Sequence, residues 1–516
     1  MKKLFMTLFA GLMVSAQVMA VSVKDVCGQF DGDLNIGGTL YPDKSVYLLP
    51  GVTESTLTFV LPDFKYGSGD LGDIVLPNIA INEAGQLSLD GATLYINAIH
   101  ERAAITVLNG LVDGEKVYNS IITKDDAMVV LSIAAPSLPE PIFVLFVGTA
   151  ANANYALPNG GFEGAWTNNE PAGWHSFGTA TGDFADFVIG NTHQFVPSND
   201  VRPGSTGSQS ALVSSNMLFG VKANGNFTNG RINAGSMTAD LATMNYNFSD
   251  PESEGFNTPF NGYPDSIVFW AKYIPADKNP GNEVNKARMS AIITTNARYQ
   301  DPETGDYSNV RIAATVANYA ATPDMGWQRI AMPFIYDPAN LDKEPAYILT
   351  TFTTNMIPGG GSSYSIGSGF NQVNVVDSVY VDDVELIYNK RLSLLSRNST
   401  PLAWDGEKFA VEEAYCDSCD TFSAITTGIS TQYFTAFDAA HKCMFVYVIA
   451  DDYTQSGAFT LYRVEYTDSN TEGIIDPQGI EETVTREPRF EKVLINGQLI
   501  LRSPDAWYSI FGNRIK

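Results

Sequence analysis

Val379–Tyr388 reads VYVDDVELIY, and its content of Val, Leu, Ile and Tyr is typical of a half-buried β-strand. Two adjacent carboxylates, Asp382 and Asp383, interrupt this strand, although strands rarely hold acidic residues. Far upstream, Pro158–Trp166 reads PNGGFEGAW and leads to Gly173-Trp174, and we interpret it as a second strand. Because successive strand residues face opposite sides, we expect only one of the two aspartates to point at a shared partner.

The rest of the chain predicts an all-β, multi-domain protein. With 516 residues it is too long for one core, and its 44 Gly and 26 Pro with 17% charged residues favour short strands joined by turns. Alternating runs at Gly28–Ile36 and Thr56–Leu61 predict an antiparallel barrel or sandwich. Short alternating strands from Arg391 to Asp468 suit a small immunoglobulin-like sandwich. Asn496-Gly497 between two apolar runs predicts a hairpin.

The N-terminus predicts export. Met1-Lys2-Lys3 is followed by an apolar run, Leu4–Val14, and by the small-residue site Val18-Met19-Ala20, which together are typical of a secretory signal peptide. We find no second apolar run of the length that spans a membrane. We therefore expect an exported protein that is periplasmic, located at the outer-membrane surface or secreted.

The formal net charge of −26 argues against a nucleic-acid or anionic-membrane partner, because both would be repelled. The acidic residues are spread along the chain, which is typical of solubility outside the cell. A neutral glycan or another surface polymer would be unaffected by this charge, so these remain the expected partners.

Two stretches resemble known domains. The pattern Gly-x-Phe-x-Gly-x-Leu at Gly28–Leu34, together with LGDIVLPNI at Leu71–Ile79, resembles the calycin-like β-barrel domain of Bacteroidetes secreted proteins. The resemblance implies a barrel that either holds one small ligand or fills itself with side chains.

The Asn-Gly-x-Phe-Glu opening at Asn159–Glu163 and the Asp-Asp-Val-x-Leu close at Asp382–Leu386 resemble the first and last strands of jelly-roll carbohydrate-binding modules.

The whole central span resembles the carbohydrate metabolism domain of exported Bacteroidetes proteins, which implies that its first and last strands lie side by side. The domain plan that follows is a signal peptide at 1–20, a calycin-like β-barrel at 21–150, a jelly-roll β-sandwich at 158–390, an immunoglobulin-like sandwich at 391–468 and a C-terminal hairpin tail at 486–516.

The jelly-roll resemblance also implies a structural calcium ion between the first and last strands. Glu163 and one of Asp382 and Asp383 fit the side chains that hold the ion in such modules, and backbone carbonyls and water would complete six to eight oxygen ligands. The alternative is that these carboxylates are satisfied by backbone amides and solvent.

Carbohydrate recognition is expected to use aromatic rings, because sugars present apolar C–H faces that stack on Trp and Tyr. Four of the six tryptophans, Trp166, Trp174, Trp270 and Trp327, fall in the central domain and are the candidate binding residues. Core packing is the alternative for each of them. Binding requires only one or two.

The sequence identifies no catalytic residue. A glycoside hydrolase needs two carboxyl groups across the scissile bond, and although Glu163, Asp183, Asp186 and Asp265 are available, no motif pairs any two of them. The four histidines lack a Gly-x-Ser-x-Gly motif nearby.

The four cysteines favour a disulfide over metal chemistry. Cys416 and Cys419 form a Cys-x-x-Cys pair, but the second pair that a zinc site needs is missing. In an exported chain we expect a disulfide that joins Cys443 to Cys416 or to Cys419, which would leave Cys27 as one of two unpaired thiols.

The sequence therefore predicts an exported carbohydrate-binding protein of the cell envelope. The alternatives are a glycoside hydrolase that acts through paired carboxylates, and a structural or adhesive surface protein. A concave aromatic surface with few buried acids would favour binding, and two facing carboxyls in a cleft would favour hydrolysis. A flat apolar patch would favour a protein partner.

Overall fold

The computed structural model describes residues 21–509. It leaves out positions 67–68, 90–91, 93, 97–105, 110, 114–115, 135–140, 192–194, 219–220, 277–284, 361–362, 367–372, 417–419, 473, 475–490, 496–497 and 503–506. The predicted signal peptide lies outside the described residues, as does Cys419.

The N-terminal part is a β-barrel preceded by one helical turn, α1 (Val23–Val26). Eight strands follow one another around the barrel in the order β10-β11-β12-β1-β2-β3-β4-β5, and β6 and β7 pair with β4 and β11. The bounds are β1 (Gly28–Ile36), β2 (Thr39–Pro50), β3 (Thr56–Tyr66), β4 (Gly69–Ile81), β5 (Leu87–Ser88), β6 (Tyr95–Ile96), β7 (Thr106–Asn109), β8 (Leu111–Asp113), β9 (Lys116–Tyr118), β10 (Ile121–Ile122), β11 (Asp126–Ala134) and β12 (Ile142–Ala150).

The barrel is nearly closed between β5 and β10. Gln86 forms an antiparallel bridge with Ile121, and Leu87 N donates to Ser120 O at 3.1 Å. Alternate residues such as Phe30, Leu34 and Leu48 point inward into one buried apolar cluster. The interior described by these residues is therefore packed with side chains.

The central domain is a sandwich of two antiparallel sheets. We call β16-β17-β32-β23-β27 the front sheet and β15-β20-β29-β24-β26-β28 the back sheet. A three-stranded sheet, β21-β22-β25, and three short hairpins complete the domain.

Its strands are β13 (Trp166–Thr167), β14 (Glu170–Pro171), β15 (His175–Ser176), β16 (Phe195–Ser198), β17 (Ser210–Ser214), β18 (Asn216–Leu218), β19 (Val221–Ala223), β20 (Asn226–Thr228), β21 (Arg231–Ala234), β22 (Asn245–Ser249), β23 (Ser266–Ile274), β24 (Ala287–Thr294), β25 (Tyr299–Asp301), β26 (Arg311–Tyr319), β27 (Gln328–Pro333), β28 (Ile335–Tyr336), β29 (Tyr347–Thr353), β30 (Ser363–Ile366), β31 (Val373–Val376) and β32 (Ser378–Ile387). The helical elements are α2 (Ala185–Asn191) and the 3-10 turns Phe177–Thr179 and Pro338–Asn340.

The core of this domain lies between the two sheets. Phe269 and Val381 project into it from the front sheet, and Met289 and Phe352 from the back sheet. All four side chains are fully buried. Because inward and outward residues alternate along every strand, each sheet also has an outer face, and the two outer faces differ in their chemistry.

The opening stretch of the central domain is a turn, so its assignment as a strand was wrong. Asn159 and Phe162 have φ of 46° and 56°, in the left-handed region that a strand cannot adopt. One backbone hydrogen bond, from Val384 N to Gly160 O at 2.9 Å, still ties the opening to β32. The neighbours of β32 in the front sheet are β17 and β23.

The segment after the central domain forms a small sandwich of a three-stranded sheet, β34-β33-β36, and a four-stranded sheet, β35-β39-β38-β37. Its elements are β33 (Leu392–Arg397), β34 (Thr400–Pro401), β35 (Phe409–Val411), β36 (Phe422–Thr426), β37 (Gln432–Asp438), β38 (Cys443–Ile449), α3 (Tyr453–Ser456) and β39 (Thr460–Tyr466). The tail adds an antiparallel sheet of β40 (Glu491–Ile495), β41 (Gln498–Arg502) and β42 (Trp507–Ser509). The predicted hairpin strands are thus present, and their Asn496-Gly497 turn lies outside the described residues.

Chain contacts group the protein into two compact units: Met1–Asn152 with Asn389–Glu482, and Ala153–Tyr388 with Thr483–Lys516. Within the first unit the barrel and the small sandwich share a core. Leu49 on the outer face of β2 packs in one cluster with Phe445 and Tyr447 of β38. Tyr447 Oη donates to Pro50 O at 2.7 Å. Among the described residues, no helix combines the length and apolar character that crossing a bilayer requires.

Cys443 is a free thiol in this shared core, so its predicted disulfide is not formed. Cys443 begins β38 and is completely buried, and burial raises the pKa of its thiol to about 12. Cys416 is disulfide-bonded. Cys27 is free, as expected. Sequence spacing could not show that Cys443 faces a second domain, which is what removes it from disulfide chemistry.

Candidate ligand-binding site

A cavity lies on the outer face of the back sheet. Along β24, Met289 and Ala291 pack into the core, so Arg288 and Ser290 point to the other side of the sheet. The three-stranded sheet, α2 and the loop after β29 stand over this face and leave a cavity of about 230 Å³. Since one water needs only ~10–15 Å³, the space suits a small organic ligand.

Two asparagines form an amide pair at the sheet side of the cavity. Asn226 Nδ2 donates to Asn247 Oδ1 at 2.9 Å, and both side chains line the cavity. Asn226 Oδ1 is buried and accepts no hydrogen bond. Within the described part of the chain, Asn247 Nδ2 donates to no partner, although the residue is 6% exposed. A buried acceptor without a partner, as Asn226 Oδ1 is, costs ~1–3 kcal/mol, so a native protein that retains it needs a reason.

An arginine and an aspartate lie beside the amide pair. Arg288 Nη1 and Nη2 donate to the two oxygens of Asp301 at 3.0 and 3.1 Å. Ser290 Oγ also donates to Asp301, at 2.6 Å. This bidentate geometry fixes the guanidinium plane, and no described residue accepts from Arg288 Nε. The pair therefore forms a rigid and charge-compensated part of the cavity wall.

Much of the remaining wall is apolar. The contributing side chains are Phe177, Phe184, Phe187, Val188, Ile232, Met237 and Met356. Apolar residues near the cavity are also unusually exposed, with Ile189, Met237, Leu241 and Ile357 between 39% and 46% exposed. The site thus combines polar groups on the sheet with apolar surface around them, as small-molecule sites generally do.

A buried lysine reaches the cavity from β19. Lys222 Nζ forms an ion pair with Asp377, whose side chain is completely buried. Asp377 also accepts hydrogen bonds from Ala276 N and Asn355 Nδ2, both at 2.8 Å. The lysine is therefore held by a carboxylate behind the wall.

Two of the predicted tryptophans are core residues. Trp174 is fully buried, with its ring 5.3 Å from that of Phe162, and its Nε1 donates to Pro158 O at 2.9 Å. Trp166 is partly buried and packs at 4.9 Å on Phe195. Because no ligand reaches Trp174, a stacking role does not fit it.

The other two predicted tryptophans lie on the outer face of the front sheet, and neither lines the cavity. The Arg202 guanidinium lies 5.4 Å from the centre of the Trp270 ring. Trp327 Nε1 donates to Asp200 at 3.0 Å, and Lys272 Nζ donates to the same carboxylate at 2.6 Å. Both rings are thus already engaged by neighbouring polar groups.

A β-bulge brings Asp382 and Asp383 to one arginine. Trp270 pairs with Asp382 and Val268 with Glu385, so β32 carries one more residue than β23 between these pairs, and Asp383 has φ of 44°. The amide of Arg202 donates to Asp382 Oδ2 at 3.0 Å, and its Nε donates to Asp383 Oδ2 at 2.5 Å. The expectation that the two aspartates face opposite sides is wrong here, because the bulge breaks the alternation. Burial raises the pKa of Asp382 to about 6.

Glu163 is held by a loop of the same domain. Its Oε1 accepts from the amides of Ser208 and Gln209, both at 2.8 Å. Among the described residues there is no group of three His, Cys, Asp or Glu able to hold a metal ion. The calcium ion stays a prediction, and the residues present do not favour it, because amide and guanidinium donors occupy oxygens that the ion would need.

Sequence reasoning missed the cavity residues. The segment Phe219–Phe227 includes Asn226 but reads as a turn-rich stretch, and Asn247, Arg288 and Asp301 come from three other strands. One sequence feature could have indicated these residues. A polar residue at an alternate position of an otherwise apolar strand, such as Arg288 in β24, lies on the outer face of the sheet.

Fold and site together define a multi-domain β-sheet protein with a ligand-sized cavity in its central sandwich. No protein-family model matches the chain, and no curated protein does. Among solved structures it is similar to a candidate glycoside hydrolase from Bacteroides thetaiotaomicron, with 11% identity over 73% of this chain and 99% of that chain and a TM-score of 0.32.

A candidate glycoside hydrolase from Bacteroides vulgatus matches at 14% identity over 55% of this chain and 97% of that chain, with a TM-score of 0.28. The carbohydrate-binding module CBM27-1 from Caldicellulosiruptor saccharolyticus, in complex with mannohexaose, matches at 13% identity over 42% of this chain and 96% of that chain, with a TM-score of 0.18. With TM-scores below 0.5, these likenesses carry no inference about this protein.

Proposed function

We propose that this chain is an exported protein that binds carbohydrate in the cavity of its central domain. The observation that carries the proposal is the buried Asn226 Oδ1, which accepts no hydrogen bond and lies in the cavity wall with Asn247 and a fixed Arg288–Asp301 pair. Export rests on the signal-peptide pattern at residues 1–20 and is part of the proposal.

The chemistry of the cavity fits a sugar. A sugar hydroxyl donates one hydrogen bond and accepts others, so it can complement both an amide oxygen and an amide N–H. The C–H faces of a sugar ring pack on aromatic and apolar side chains, which Phe184 and Phe187 supply. A hydrogen bond from such a ligand to Asn226 Oδ1 would remove the free-energy cost of leaving that oxygen without a partner.

The cavity gives less support to hydrolysis. Glycosidases place two carboxyl groups ~5–9.5 Å apart across the bond that breaks. Among the described residues that line the cavity, Asp301 is the only carboxylate, and both of its oxygens accept hydrogen bonds from Arg288. Binding is therefore the function that this geometry supports best.

The test is a glycan array probed with the full-length mature chain, followed by calorimetry on the strongest ligand. The double variant Asn226→Leu/Asn247→Leu is expected to weaken that ligand about 10- to 100-fold, because each lost hydrogen bond contributes ~0.5–1.5 kcal/mol. Release of reducing sugar from the ligand would instead support the hydrolase alternative.

Two control variants locate the site. Asn296→Leu makes the same change at an exposed residue outside the cavity and is expected to leave affinity unchanged. Trp270→Ala removes a ring from the front sheet and is expected to change affinity less than about twofold. If Trp270→Ala abolishes binding while the asparagine variant retains it, the ligand binds the front face and the cavity proposal is wrong. No binding to any glycan would favour the adhesive alternative.

A further inference from the structure

The charges around the cavity cancel locally. The charged residues among those described in the lining are Lys222, Arg288 and Asp301, and Lys222 is paired with Asp377 behind the wall. Two cations thus face two carboxylates, and the formal charge of the group is zero. A site built for an anion would instead carry a cation without a carboxylate partner.

Neither cation is available to a negatively charged ligand. Asp377 is completely buried, so moving the Lys222 ammonium toward a ligand would leave a buried carboxylate without its counter-ion. Asp301 is 6% exposed and depends in the same way on Arg288. Breaking either pair is strongly unfavourable, whereas leaving both intact costs the ligand nothing.

The groups that are available carry no net charge. They are the amides of Asn226 and Asn247, since the Arg288 guanidinium is compensated by Asp301. Amides complement hydroxyl groups and give no preference for a carboxylate or a sulfate. The overall charge of −26 adds a repulsive field for anions.

We infer that the cavity takes a neutral, polyhydroxylated glycan and discriminates against glycans that carry uronate, sulfate or sialic acid. This inference rests on the proposed function, because it specifies the ligand class of the same site. The discrimination arises from the buried ion pairs, and it requires no repulsive side chain in the cavity.

The test compares matched neutral and acidic ligands on the full-length mature chain. Suitable pairs are galactan with polygalacturonate, dextran with dextran sulfate, and asialo with sialylated complex glycans. We expect the acidic member of each recognised pair to bind at least about tenfold more weakly, and the binding of the neutral member to be insensitive to ionic strength. Native chain and the Asn226→Leu/Asn247→Leu variant are measured in parallel.

A charge variant tests the cause. Asp301→Asn leaves the Arg288 guanidinium without its counter-ion and is expected to raise affinity for the acidic member of a pair about tenfold. If thermal unfolding shows that this variant does not fold, the ionic-strength dependence of the native chain decides the point, because binding of an anion by free cations weakens steeply as salt rises.

The outcomes separate the two claims. Equal binding of acidic glycans and their neutral counterparts, if the asparagine variant loses it, would overturn the neutral-ligand inference. The proposed function would then still stand. Absence of binding to every glycan, or binding that the asparagine variant retains, would overturn the proposed function and this inference with it. Neutral binding lost in the asparagine variant, with acidic members rejected, supports both.

Discussion

The two outer faces of the central sandwich contain similar residue types in opposite states. On the front sheet, Trp270, Trp327, Asp382 and Asp383 are all engaged by hydrogen bonds, an ion pair or a cation–π contact. Over the back sheet, Asn226 of β20 and Asn247 of β22 bond to each other and leave Asn226 Oδ1 and Asn247 Nδ2 unused among the described residues. The front-sheet tryptophans and aspartates, which were the candidate site residues in the sequence, are thus the residues whose polar groups already have partners.

The difference separates residues that stabilise the fold from residues available to a ligand. Arg202 on the front face connects the loop before β17 to β32 by contacting Asp382, Asp383 and the Trp270 ring. A group that is already paired gains little from a ligand, whereas an unpaired buried group gains a full hydrogen bond. Variants on the front face should therefore change stability, and variants in the cavity should change affinity.

The largest expected effect is at Arg202. Arg202→Met leaves the Asp383 carboxylate without its guanidinium and should lower the free energy of unfolding by about 2–4 kcal/mol, somewhat less than for a fully buried pair because the two side chains are 22% and 23% exposed. Chemical denaturation followed by tryptophan fluorescence measures it. Lys124→Met, which removes an exposed pair with Asp125, is the matched control and should cost less than about 0.5 kcal/mol. An equal small loss in both variants would contradict a stabilising front face.

The predicted calcium ion is tested at the same junction in the native chain. If Arg202 supplies the positive charge at this junction, calcium and EDTA should leave the melting temperature of the native chain unchanged. A melting temperature that calcium raises and EDTA returns would instead establish the metal site at Glu163, Asp382 and Asp383.

The next effect is the pH dependence set by Asp382. Its folded-state pKa of about 6 lies above the unfolded value of ~3.9, so the folded state binds this proton more tightly. The resulting stability is fully present below about pH 4 and is lost as pH rises through about 6, a fall of about 3 kcal/mol. Unfolding free energies at about pH 5 and pH 8 should show about half of this fall in the native chain and a smaller change in Asp382→Asn. Parallel changes in the two proteins would mean that Asp382 titrates as an exposed carboxyl does.

The smallest effect is on the stability of the cavity variant. Asn226→Leu/Asn247→Leu replaces unpaired polar groups by apolar ones of similar size, so the free energy of unfolding should stay constant or rise by about 1 kcal/mol. Asn355→Leu is the contrasting control, because its amide donates to Asp377 and accepts from Thr354, and its loss should destabilise the chain by about 2 kcal/mol. A large loss of stability in the double variant would show that the amide pair is structural.

Much of the fold could be predicted from the sequence. Alternation of apolar and polar residues indicates strands because side chains alternate between faces, and this identified Gly28–Ile36 in the barrel and Val379–Tyr388 in the front sheet. The pattern failed at Pro158–Trp166, where the left-handed φ values of Asn159 and Phe162 produce a turn. The domain boundaries at 21–150, 158–390 and 391–468 stay predictions.

The site could not be predicted in the same way. Asn226, Asn247, Arg288 and Asp301 belong to four strands far apart in the chain, and no spacing rule connects them. Conversely, Trp174 was a candidate binding residue and proved to be a core residue. The local sequence around a tryptophan does not show whether its ring faces solvent or the core.

The multi-domain all-β class could be predicted from the amino-acid sequence, because strand periodicity and turn composition are local properties of the chain. The pairing of the polar groups became apparent only in the folded structure. Asp383 binds a guanidinium, whereas Asn226 Oδ1 has no hydrogen-bond partner. Both results depend on the sheet order and on the bulge in β32, which bring residues from separate segments together. Hydrogen bonds act over a few ångströms, so unused binding capacity appears only once the strands are assembled.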